Sequence, residues 1–180
     1  MPTSITAGVQ PPPSKCANFR LTGGGRTDQR SEDPHSGQSF EKNTPESHDF
    51  ATFGFQARPD AACPFENAGS GQQEWNDHGT ENQFGAPFAF HGRVTFFSAV
   101  DGTLEGQCGR YGGSGQLNFR SGDKVDATFV VNHACDVAEP GVGKDHISIS
   151  ITRTGDGVTY NRHGLLSGGN IQWHRLTGNN

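Results

Sequence analysis

The sequence predicts an all-β fold of about eight antiparallel strands. Three observations carry that expectation. Apolar and polar residues alternate along several stretches, most regularly in DHISISITRT at 145–154, where Ile147, Ile149 and Ile151 share one face. Turn residues are dense, with 26 Gly and 10 Pro in 180 residues, and they fall between the alternating stretches. The apolar content is 31 %, with 13 Phe and a single Met, so bulky rings replace the Leu and Met of a helical core.

Residues 1–15 are polar and hold the run Pro11–Pro13, which reads as an extended, flexible arm. FRLTGGGR (19–26) reads as a short first strand ending in a glycine turn, and 27–47 as a long polar loop. HDFATFGFQAR (48–58) places Phe53, Phe55 and Ala57 on one face. GQQEWNDHG (71–79) alternates loosely around Trp75. FAFHGRVTFFS (88–98) points Phe88, Phe90, Val94 and Phe96 one way, and Ala89, His91, Arg93 and Thr95 the other. That phase leaves Phe97 facing away from the core as a partner contact. Asp101-Gly102 is a hairpin signal. CGRYGGSGQLNFR (108–120) has glycines suited to a bend or bulge. SGDK (121–124) turns the chain into VDATFVVNHAC (125–135), with Val125, Ala127, Phe129 and Val131 aligned. After 145–154 and the turn Gly155–Gly157 come VTYNRHGLL (158–166) and NIQWHRL (170–176), split by Ser167–Gly169. In the last strand Ile171 and Trp173 point inward, and Gln172 and His174 outward. Residues 16–176 form one β domain, and 177–180 a tail.

Short sequential connections favour antiparallel neighbours, and each strand has one apolar face. An up-and-down β-barrel fits that meander, with glycine bends to curve the sheet, and a two-sheet β-sandwich is the alternative.

The net charge of −5 and only four Lys exclude the clustered basic patch of a nucleic-acid-binding protein. No run approaches the roughly 18 apolar residues of a membrane-spanning helix. MPTSITAGVQPPPSK does not read as an intact signal peptide. Cys16, Cys63, Cys108 and Cys135 form no C-x-x-C pair, so a zinc ribbon or thioredoxin-like motif is excluded. Two disulfides are expected; of three connectivities, Cys16–Cys63 with Cys108–Cys135 is favoured.

Candidate chemistry is sparse. EPGVGKD (139–145) is no phosphate loop, because Lys144 is followed by Asp145 and a strand rather than by Ser or Thr and a helix. Asp136, Glu139 and Asp145 could supply carboxylates to calcium, although their spacing matches no EF-hand. The favoured reading is a turn: Pro140 sets φ, Gly141 takes the positive φ after it, and Asp145 accepts backbone N–H bonds at the strand start. His78, His91, His146, His163 and His174 lie in or beside strands, but no pair has the H-x-H or H-E-x-x-H spacing of a zinc site. Asp77, His78, His91 and Arg93 would make an acid–base group if 71–79 pairs with 88–98, and a polar interior containing them and Tyr111 would suit an isomerase or cyclase. No Ser–His–Asp arrangement or G-x-S-x-G elbow is present. No cofactor is called for.

FRLTGGGR (19–26), FATFGFQAR (50–58), WNDHGT (75–80), FHGRVT (90–95), CGRYGGSGQLN (108–118), AEPGVGKDHISISI (138–151) and HGLLSGGNIQWH (163–174), in that order, resemble the post-COAP domains. These are bacterial β domains that follow choice-of-anchor modules or stand alone in secreted and cell-surface proteins. The resemblance implies an extracellular, barrel-like module without established catalytic activity. The expected function is therefore a non-enzymatic structural or interaction module of a secreted, cell-surface or particle-associated assembly. It would touch a protein partner or further copies of itself through the arm and the 27–47 loop. A small-molecule-binding barrel is the alternative.

Overall fold

A computed structural model describes residues 19–28, 50–60, 68–80, 82–100 and 107–175. The arm at 1–15, most of the 27–47 loop, Asp101-Gly102, Cys16 and Cys63 lie outside these residues. Nine strands are present among those described: β1 (Phe19–Thr27), β2 (Ala51–Pro59), β3 (Ala68–Asp77), β4 (Phe88–Val100), β5 (Gln107–Phe119), β6 (Lys124–Asp136), β7 (His146–Arg153), β8 (Thr159–Leu165) and β9 (Gly168–Arg175). All belong to one antiparallel sheet with the order β8-β7-β6-β5-β4-β3-β2-β1-β9. The sheet curls into a half-barrel, so the barrel-like expectation holds and the sandwich does not.

The connectivity imposes the curl. β8 and β9 are consecutive in the chain but lie at opposite ends of the strand order. A flat sheet of this size would separate its edges by about 38 Å, at about 4.8 Å per strand. The link between Leu165 and Gly168 contains only Leu166 and Ser167, and its three Cα steps reach about 11 Å at most. The sheet must therefore bend until its two edges meet. Ser167 N–H and Oγ–H both donate to the carbonyl of Arg26, which fixes the link over β1.

The inner face is apolar and densely filled. Trp75, Phe90, Tyr111, Phe129 and Tyr160 are almost wholly buried, with Ile147, Ile149, Ile151 and Ile171 packed around them. The expected inward sets on β2, β6 and β7 are correct. On β4 the expectation needs correction. A register shift between Val94 and Phe96 advances the strand by one residue, and a bulge of this kind reverses the phase beyond it. Phe97 is therefore the inward residue, 2 % exposed and stacked with Tyr111 at 6.2 Å. Phe96 is the outward one, with the Arg110 guanidinium 5.5 Å from its ring centre.

The second correction concerns Gly23, Gly24 and Gly25. They are not a turn but the middle of β1, paired with β2 on one side and β9 on the other. A Cβ on Gly23 would sit 2.5 Å from the Phe55 ring, and one on Gly25 would sit 2.3 Å from the Gly168 carbonyl oxygen. The triplet leaves the room that inward Phe55 and the returning β9 occupy. Gly25→Ala is expected to cost about 1–3 kcal/mol by overpacking, because a backbone carbonyl cannot rotate away. Gly54→Ala, whose Cβ would meet nothing within 4 Å, should change stability by less than about 0.5 kcal/mol. Urea denaturation of the two variants checks the contrast; equal midpoints would contradict it.

Candidate functional site

Two polar clusters are built into the fold, and a third lies on its outer surface. The first is inside. β3 ends by turning Asp77 inward, since Gln73, Trp75 and Asp77 share one parity of the strand. β8 turns Tyr160 and Arg162 inward by the same alternation. The Arg162 guanidinium donates through NH1 to Asp77 Oδ2 at 2.8 Å, with both side chains at most 1 % exposed. Tyr160 O–H donates to the same oxygen at 2.6 Å and accepts the Trp75 indole N–H at 3.0 Å. Asp77 Oδ1 accepts from Gly79 N–H at 2.8 Å and Asn82 Nδ2 at 3.2 Å. Four donors thus occupy the carboxylate. Arg162 NH2 also reaches the Thr27 carbonyl at 3.4 Å, which ties β8 to β1 across the seam. Burial, and then the neighbouring Asp77 charge, raise the Tyr160 phenol well above its ordinary range. Tyr160 therefore stays a donor. Tyr111, raised by burial in the same way, donates to Gln73 Oε1 at 2.8 Å.

The second cluster is the 136–145 segment. Asp145 is wholly buried. Its Oδ1 accepts Val137 N–H at 2.9 Å and Ala138 N–H at 3.3 Å, and its Oδ2 accepts Ile171 N–H at 2.8 Å. Asp136 Oδ2 accepts Trp173 N–H at 2.8 Å. The N–H groups of Ile171 and Trp173 lie on the edge of β9 that has no partner strand, and carboxylates satisfy them in place of a ladder. Glu139 accepts from Asn170 Nδ2 at 2.9 Å and from Gln172 Nε2 at 3.2 Å, and these bonds hold its carboxyl below the ordinary range. The expected role of Asp145 as an acceptor of backbone N–H bonds is present. The expected reason for Gly141 is not. Gly143 takes the positive φ, at 73°. Gly141 is required by space, since a Cβ there would lie 2.0 Å from Asp145 Oδ2.

Asp136, Glu139 and Asp145 are thus gathered along the free edge of β9, each turned to a donor of that strand. Among the described residues the grouping with metal-ligand proximity is a different one, Cys108, Cys135 and His146. The Cys108–Cys135 disulfide expected from the sequence joins β5 to β6.

The third cluster is an open groove of about 760 Å³ on the outer face of β2, β3 and β4, lined by Gln56, Ser70, Gln72, Glu74, His91 and Arg93. The register shifts at 68/71 and 94/96 lie side by side at one end of it. Here the expected quartet separates. β3 and β4 do pair, but opposite parity sends Asp77 inside and His91 and Arg93 outside. His91 Nδ1 stands 3.6 Å from Glu74 Oε1, and both side chains are about 60 % exposed. His78 follows β3 and stacks on Phe50 at 4.3 Å, and the Arg26 guanidinium lies 3.9 Å from the centre of the same Phe50 ring. Burial is the main cause that lowers the His78 pKa. His174 bonds Thr22 Oγ1 at 2.9 Å, and His163 faces Ser148 in register. The histidines considered for zinc therefore sit in separate places, apart from His146 beside the cysteines.

Arg162 and Tyr160 did not emerge from the sequence. The signal was present, since TYNRHGL puts Tyr160, Arg162 and Gly164 on one parity, but an arginine normally marks the outer face.

Removing Arg162 leaves Asp77 charged and buried. Arg162→Met is expected to cost about 3–5 kcal/mol, and much of that should return in Arg162→Met/Asp77→Leu; thermal or urea denaturation of the three proteins reads this out. Asp136 yields a pH prediction. Burial, opposed in part by the Trp173 N–H bond and aided by the charges of Asp145 and Glu139, raises its pKa above the ordinary carboxylate value. The native chain then takes this proton at a higher pH than the unfolded chain, so the Asp136 contribution favours folding on acidification and is lost as pH rises through the folded pKa. Asp136→Asn keeps an acceptor for Trp173 without the charge. It should raise the denaturation midpoint slightly at neutral pH, with the gain shrinking toward pH 4; a lower midpoint at neutral pH would contradict this.

No family model, no curated protein and no solved structure matches this chain.

Proposed function

We propose that the chain is a non-enzymatic interaction module of a secreted, cell-surface or particle-associated assembly. The observation that carries this reading is the occupied interior. The inner face is filled by aromatic rings, and all four acceptor positions of Asp77 are taken by donors of the fold. A general base needs an open lone pair directed at its substrate, and Asp77 has none to offer. Exposed polar side chains of β2, β3 and β4 line the outer groove, where a partner surface makes contact from outside. A buried disulfide between adjacent strands accords with an oxidising compartment. The resemblance to post-COAP domains points the same way. Contacts through the 1–15 arm and the 27–47 loop belong to this proposal.

The alternative of a small-molecule-binding barrel has one observation in its favour, the convergence of Glu74, His91 and Arg93 in the groove. It places the ligand outside the barrel rather than within it.

Native mass spectrometry of the full chain isolated from its own source separates the two. The interaction module predicts a complex larger than one chain, no small-molecule mass, and loss of that complex when residues 1–15 are removed. A monomer holding one stoichiometric small molecule, displaced by Arg93→Ala, would overturn it.

A further inference from the structure

Cys108, Cys135 and His146 stand in one row across three neighbouring strands. Cys108 of β5 is in register with Cys135 of β6, which is in register with His146 of β7. The three side chains are 5 %, 0 % and 4 % exposed. Their two sulfurs and one imidazole nitrogen all lie within 4.8 Å of one another. The His133 ring is centred 5.0 Å from that of His146, which brings a second imidazole beside the row.

Two thiolates and an imidazole are a donor set suited to a borderline-soft divalent ion that accepts tetrahedral coordination. A lateral row also has suitable spacing, since residues opposite one another on antiparallel strands hold their side chains about 4.5–5.5 Å apart. We propose that, when the Cys108–Cys135 bond is reduced, this row binds one zinc-type divalent cation through Cys108, Cys135 and His146, with His133 next in place for the fourth position.

The chemistry balances with a dithiol as reductant. It gives two electrons and two protons to the disulfide, which becomes two thiols, while the dithiol closes to its own disulfide. The ion then displaces the two thiol protons, and the sulfurs part to the roughly 3.8 Å that tetrahedral Zn–S bonds of about 2.3 Å require. The row would therefore hold either a disulfide or a metal ion. Both states cross-link β5 to β6, and the metal state adds β7. This inference concerns a site apart from the outer groove and does not depend on the proposed function.

Cobalt(II) is the probe, because thiolate ligation produces a charge-transfer absorbance. The full chain is reduced with a dithiol, freed of it anaerobically, and titrated with cobalt beside the oxidised chain. The expected result is one cobalt per reduced chain with a thiolate band, no band in the oxidised chain, and displacement of the band by zinc. His146→Ala should weaken cobalt binding by more than the roughly 100-fold that is the upper range for an outer-shell partner, while its oxidised form keeps the near-ultraviolet circular dichroism of the parent. His146→Cys supplies a ligand at the same place and should retain the ion with a stronger thiolate band, which separates ligation from folding. The proposal is overturned if the reduced chain shows no thiolate band. It is also overturned if the band survives unchanged in His146→Ala, which would assign the binding to other cysteines, or if His146→Cys fails to retain it.

Discussion

Everything in this fold follows from the need to bring two sheet edges together. β8 and β9 are joined by two residues yet lie at opposite ends of the strand order. The curl, the filled interior and the position of each polar cluster are consequences. A closed barrel would complete such a seam with a strand ladder. Here side chains do that work. Asp145 and Asp136 accept the N–H groups of Ile171 and Trp173, and Arg162 reaches from β8 to the Thr27 carbonyl and Asp77. The acceptors cap the β9 edge, so it does not present a row of unpaired donors to another chain.

The interior shows how a small apolar fraction fills a core. Large rings take up the volume, and the few polar atoms among them bond to one another. Asp77 and Arg162 are the costly members, because each would be a buried charge without the other. Their value is positional. One guanidinium on β8, at one end of the strand order, addresses β1 and β3, which flank β2 toward the other end. With the inner face so occupied, Glu74, His91 and Arg93 are left on the outer surface.

The cysteine row and the seam are linked through the chain. Cys135 precedes Asp136, and His146 follows Asp145. The row therefore lies one residue from each of the two seam acceptors.

The alternation of Ile147, Ile149 and Ile151, the inward rings of β2 and the Val125–Val131 face were all legible in the sequence, because side-chain parity is a local property of an extended chain. The turn at 139–145 was legible from its Pro and Gly residues, with Asp145 as an acceptor of backbone N–H bonds, but its donors Val137, Ala138 and Ile171 and the positive φ at Gly143 were not. What depends on a partner strand was not. Phe97 turned inward because β4 carries an extra residue relative to β5, and no composition within β4 announces a bulge. Gly23–Gly25 became strand rather than turn because β9 returns to lie beside them. Asp77 separated from His91 and Arg93 because pairing β3 with β4 brings strands together without bringing opposite faces together. The sequence by itself determined the inward face of the regularly alternating strands β2, β6 and β7. The tertiary structure alone decided which strands meet at the seam, since that choice rests on side chains more than 25 residues apart finding each other's backbone donors.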